Sequence, residues 1–166
     1  MSERKLEGLE PQSVFHYFEE ICAIPHGSRN TKAISDYLVA FAKAHNLTYR
    51  QDKSNNVVIF APGTCGLEDH APVILQGHMD MVCEKDASCT LDMAVDGLDV
   101  THDDQFVFAR GTTLGGDDGI AVAYALAILA DNTIAHPPLE VIITVGEEIG
   151  MLGAAAMDLG DLKGRV

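Results

Sequence analysis

The chain has 166 residues, with 11 lysines and arginines against 25 aspartates and glutamates, for a formal net charge of −14. This length suits one domain, which buries roughly 70% of the surface its unfolded chain exposes, so neither a disulfide nor a metal is needed merely to fold it. The excess of acid argues against a nucleic-acid or anionic-membrane surface, and no apolar run approaches the roughly 18 residues of a membrane span.

Met1 to Glu10 is charged and lacks the apolar centre of a signal peptide. Cys22, Cys65, Cys83 and Cys89 form no CxxC pair, so they are read as reduced thiols and the expected home is cytoplasmic. Pro11 and Ser13 open a first helix over 14–23, where Val14, Phe15, Phe18, Ile21 and Cys22 recur at helical spacing. Loop chemistry follows from Pro25 to Asn30, and Asn30 or Thr31 is placed to cap a second helix with Ile34, Tyr37, Leu38 and Phe41 on its apolar face, running to about His45. Short β-rich runs come next at 48–51, 56–60 and 72–75, the last apolar enough to be a buried strand. Glycine and aspartate punctuate 86–104, which predicts an irregular stretch or a β-hairpin, and 106–109 reads as another strand. A glycine-rich turn over 111–116 leads into a helix over 117–130 that is apolar on most sides. The run 139–145 has the pattern of an interior strand, and 150–157 that of a short helix. Strands alternating with helices predict an α/β layered domain. At Lys163-Gly164-Arg165-Val166 another strand is expected to begin, so the ending resembles a cut.

In open α/β sheets ligands bind beyond the carboxyl ends of the strands, so polar residues just after apolar runs carry most weight. His78 and Asp80 share one side of an extended backbone, where the carboxylate steadies the imidazole; the bland alternative is a strand-end histidine beside a solvated acid. Asp117 and Asp118 at a helix start cap free N–H groups and favour the dipole, which is a structural explanation in itself; yet the flanking Gly115, Gly116 and Gly119 allow close backbone approach, and a capping residue can also turn a second oxygen toward a cation. Adjacent Glu147 and Glu148 after a buried strand repel one another unless a cation or a shared proton relieves them; a solvated acidic turn is the alternative. If a metal is present, one of this pair has the work of a ligand and the other that of a general base. Asp92 to Gly97 resembles the start of an EF-hand loop, but Ala94 occupies a ligand position and Asp103 stands where a bidentate glutamate belongs. No phosphate-loop lysine follows Gly111 to Gly119, and no Gly-x-Ser-x-Gly occurs.

Taken together, Gly77-His78-Met79-Asp80-Met81-Val82, Arg110 to Gly119 and Glu147-Glu148 resemble the dinuclear zinc peptidase family that includes aminoacylases, carboxypeptidase G and tripeptidase T, and within it the aminoacyl-histidine dipeptidases. The resemblance extends over essentially the whole chain, including Ile24-Pro25-His26. It implies a three-layer α/β catalytic domain with a mixed central sheet, and two zinc ions per complete site, for which Mn or Co could substitute. It implies that His78, Asp117 and Glu148 are metal ligands, with Asp117 bridging, that Asp80 orients His78, and that Glu147 is the general base. The implied reaction is hydrolysis of dipeptides, Xaa-His dipeptides such as carnosine among them; another amide or tripeptide substrate, or a non-catalytic fragment, is the alternative. Relatives supply a further Asp ligand from the next strand, a late His ligand and a lid-like dimerisation domain. Residues 1–166 therefore read as the amino-terminal portion of the catalytic domain, inactive alone, and the full-length protein as a homodimer with no nucleic-acid or membrane partner.

Overall fold

The structure is a computed structural model that describes residues 4–165. Helix α1 (Gln12–Cys22) buries Val14, Phe18, Ile21 and Cys22 along one stripe, and the Glu10 carboxylate accepts the Gln12 N–H at 3.0 Å where Pro11 offers no cap. Helix α2 (Lys32–Ala44) buries Ile34, Leu38, Phe41 and Ala42. The side-chain cap expected of Asn30 or Thr31 is not formed. Thr31 holds the N-cap position with φ −101° and ψ −1°, whereas a capping side chain works from extended backbone, and Asn30 Nδ2 donates instead to the Ala94 carbonyl at 3.0 Å.

Strands β1 (Thr48–Gln51), β2 (Val57–Ala61) and β3 (Val73–His78) follow. A separate antiparallel ribbon joins β4 (Val100–His102) to β5 (Val107–Ala109) after the irregular, Gly- and Asp-rich stretch. Helix α3 (Gly116–Ala130), strand β6 (Leu139–Thr144) and the short helix α4 (Leu152–Ala156) complete the order. The main sheet runs β1-β2-β6-β3; β3 is parallel to β6 and the other pairs are antiparallel, which makes it mixed, as expected.

Strand β6 is buried along its whole length, in keeping with its apolar sequence. Strand β3 differs from expectation twice. It extends through His78, and it lies at the sheet edge with Val73 37% exposed, because β6 pairs one side and, among the described residues, the other receives an isolated bridge from Arg165. Arg165 accepts the Ile74 N–H at 2.8 Å, so the chain returns to the β3 edge where a further strand was expected to begin.

Alternate residues of β2 and β6, namely Val57, Ile59, Ala61, Leu139, Val141 and Ile143, face α1, α2 and α3 in one core with Phe18, Ile34, Leu38 and Leu126. Each of the valines, leucines, isoleucines and the phenylalanine among them contributes about 1.5–3 kcal/mol by leaving water. Gly119 is where α3 meets α1: a Cβ there would lie 3.2 Å from the Phe18 ring. On the opposite face of β6, the Glu140 carboxylate is buried and accepts the N–H groups of Lys163 and Gly164 at 2.9 Å.

Candidate metal centre

Parallel pairing places His78 opposite Thr144, so β3 and β6 end together and the residues just beyond them share one edge of the sheet. Helix α3 begins at the same edge. After Gly115 the chain kinks, with non-helical backbone at Asp117 (φ −86°, ψ 108°) and Asp118 (φ −117°, ψ 28°). The Asp117 carboxylate points at His78, its Oδ1 3.1 Å from Nε2, whereas the Asp118 carboxylate also accepts from the Ala121 backbone N–H, as a cap of the helix beyond the kink does.

His78 is 6% exposed. Its Nδ1 lies 2.9 Å from the backbone carbonyl of Asp80 and 3.6 Å from the Asp80 carboxylate. A carbonyl only accepts, so Nδ1 carries the proton and the Nε2 lone pair faces outward. That lone pair meets Asp117 at 3.1 Å and Glu147 Oε2 at 3.8 Å. Facing two carboxylates, it needs positive charge, either a second proton or a cation. Burial opposes protonation of His78, but the hydrogen bonds to Asp80 and Asp117 and the charges of Asp80 and Asp118 outweigh it and hold the pKa above the ordinary imidazole value.

Ligand atoms of His78, Glu147 and Glu148 all lie within 4.8 Å of one another. Asp117 touches His78 from outside that group, with its side chain 88% exposed. Asp118 Oδ2 approaches the His78 N–H at 3.4 Å; burial pushes its carboxyl upward, against the lowering effect of His78. Gly77 makes room for it, since a Cβ there would fall 2.8 Å from that oxygen. Among the described residues no lysine or arginine pairs with Asp80, Asp117, Asp118, Glu147 or Glu148. One imidazole among unneutralised carboxylates is a donor set suited to a divalent cation.

The turn after β6 is fixed by backbone bonds. Glu147 O accepts from Gly150 and Met151 at 2.9 and 3.0 Å, and buried Asn56 accepts the Val145 N–H and donates to the Gly153 carbonyl, each at 3.0 Å. Beside the cluster, Val82, Leu114, Asp117 and Glu148 border an open cleft of about 260 Å³.

Asn56, Ser28 and His26 support this site and were not read from the sequence as doing so. Asp80, 1% exposed, accepts the Ser28 hydroxyl at 2.8 Å and the Glu147 N–H at 3.1 Å. His26 is buried, with Nδ1 2.5 Å from the Ile24 carbonyl and Nε2 without a partner; burial pushes its pKa down. The Asn56 and Ser28 side chains act on residues far along the chain, where local spacing gives no sign of it.

The profile of Peptidase family M20/M25/M40 matches residues 74–163. The chain is 44% identical over 150 residues to the cytosol non-specific dipeptidase of Escherichia coli strain K12, covering 90% of this chain and 31% of that protein. Its fold matches the crystal structure of aminoacylhistidine dipeptidase from Vibrio alginolyticus with a TM-score of 0.93 and 40% identity, over 99% of this chain and 33% of that one. A tripeptidase from Staphylococcus aureus shares the fold at a TM-score of 0.76 and 24% identity, over 94% of this chain and 42% of that one. The chain thus spans about a third of the length of the two dipeptidases.

Proposed function

This chain belongs to peptidase family M20/M25/M40, and from that premise we propose that the whole protein is a zinc-dependent dipeptidase that accepts Xaa-His dipeptides such as carnosine. The observation that carries the reading is the His78 Nε2 lone pair turned toward Asp117 and Glu147 in a cluster without a protein cation. His78, Asp117 and Glu148 are the residues that would hold two zinc ions. When bound, zinc supplies Lewis acidity toward the scissile carbonyl and makes water acidic enough to attack it near neutral pH.

Asp80 keeps the His78 ring oriented, its carbonyl on Nδ1 and its carboxylate close by. Glu147 takes a proton from the attacking water and delivers it to the leaving amine nitrogen, so the peptide C–N bond breaks with no net change in its protonation. Its backbone N–H on Asp80 holds it beside His78 while it does so. The 166 residues form the amino-terminal portion of the catalytic domain in this reading, and the whole protein is a cytoplasmic homodimer. The cytosol non-specific dipeptidase of Escherichia coli as a relative and the four free cysteines support the location. No helix among the described residues is long and apolar enough to cross a membrane.

The test is to strip the complete protein with a chelator, restore zinc, and assay carnosine, other dipeptides, tripeptides and N-acyl amino acids. Hydrolysis of dipeptides that vanishes with the metal and returns with zinc is expected. Undiminished turnover without metal overturns the zinc reading, and faster turnover of tripeptides or N-acyl amino acids moves the substrate class.

A further inference from the structure

The segment His26–Ser28 belongs to none of the motifs that suggested the metal centre, yet it is fastened along the strand end that carries Asp80. Met81 N–H donates to the His26 carbonyl at 3.2 Å, Ser28 N–H donates to the Met81 carbonyl at 3.1 Å, and Gly27 forms a parallel bridge with Met81. A Cβ at Gly27 would stand 2.5 Å from Cys83 Sγ, so the glycine leaves room for that side chain. The Ser28 hydroxyl is thus presented from a rigid backbone.

It meets Asp80 Oδ2 at 2.8 Å, while the other oxygen, Oδ1, takes the Glu147 N–H at 3.1 Å and lies 3.6 Å from His78 Nδ1. Among the described residues Asp80 is the one carboxylate in contact with both the His78 ring and the Glu147 backbone. At 1% exposure it has little access to water in place of a lost donor. A carboxylate bonded on one oxygen only is free to turn about its Cβ–Cγ bond; a donor on each oxygen fixes its plane.

We propose that Ser28 is a positioning residue of the metal centre, whose hydroxyl sets the plane of the Asp80 carboxylate and through it the His78 ring and the start of the Glu147 turn. The proposal rests on His78 being a ligand, as in the reading above. Outer hydrogen-bond partners of metal ligands typically control affinity or activity 10- to 100-fold.

In the complete protein, Ser28→Ala is expected to weaken zinc binding about 10-fold in a chelator competition and to lower kcat by a similar factor with KM unchanged. Ser28→Thr, which keeps the hydroxyl, is expected to retain both. In the metal-free protein, ring-nitrogen NMR of labelled histidines should show the His78 resonances displaced in Ser28→Ala and not in Ser28→Thr. Zinc affinity and ring resonances equal to the parent in Ser28→Ala would overturn the proposal, as would a loss in Ser28→Thr equal to that in Ser28→Ala. Should the alanine variant not fold, Ser28→Cys, a weak donor of similar size, is read against the same two outcomes. If the parent hydrolyses no dipeptide, the dipeptidase reading fails while zinc affinity and ring resonances still decide the role of Ser28.

Discussion

Two pairs of adjacent acids meet at one edge of the sheet, and the fold handles them in opposite ways. Glu147 and Glu148 sit on a turn whose backbone is pinned at Val145, Glu147 and Gly153, so their side chains start from a fixed base. Asp117 and Asp118 sit where a helix should already have begun, and their backbone departs from helical angles instead. In the first pair the hydrogen bonds precede the chemistry. In the second, regular structure is given up so that one carboxylate reaches His78 and the other settles against the β3 backbone.

The largest effect that separates the pairs is expected from Glu147→Gln in the complete protein. If Glu147 is the base, kcat falls on the order of 10² to 10⁴-fold while metal content, read by mass spectrometry, stays at the parent level. Near-parental turnover would erase the distinction between Glu147 and its neighbour. Glu148→Gln and Asp117→Asn should instead lower bound zinc, since each removes a charge the cation needs while asparagine caps as well as aspartate. Unchanged metal stoichiometry and activity in Asp117→Asn would return that residue to the role of a helix-end acid.

A smaller effect sharpens the second pair: Gly77→Ala forces a methyl toward Asp118 and should cost about 1–3 kcal/mol in thermal or denaturant unfolding, the usual range for overpacking. An unchanged melting temperature would mean that Asp118 moves freely. The smallest concerns the loop behind Asp80. Burial depresses the His26 pKa in the folded state, so the unfolded chain binds its proton first. Its stabilising contribution is present above the unfolded value of about 6.5 and lost as pH falls below it. The parent should lose melting temperature between pH 7.5 and 5.5 more steeply than His26→Gln, and parallel slopes would count against a buried neutral imidazole.

What was legible in the sequence was what repeats locally. The apolar period of α1 and α2, the run that became β6 and the β1 span all emerge from neighbouring residues, and so do the acid pairs as pairs. Strand β3 was cut short because Gln76, Gly77 and His78 break the apolar run, although ladder pairing to β6 carries them on. Its edge position depends on strand order, which no local pattern encodes. The backbone course at Asp117 was hidden for a related reason: acids after glycine look alike whether they cap or reach away. Ser28 and Asn56 read as turn residues, because the groups they hold lie 52 and 89 positions away.

Those separations have a bearing on time. Ser28 must find Asp80 across 52 residues, Glu147 must find Asp80 across 67, and Asp117 must find His78 across 39. Contacts of such range require loop closure before they repay it, so they form late relative to α1 and α2, whose bonds are local. The proposed ligands are therefore scattered along the chain until the sheet and α3 have come together. A cation that binds only the assembled centre stabilises the folded state by mass action without speeding the early steps. Zinc supplied during refolding should leave the first helical phase unaltered and show itself as a slower rate of unfolding.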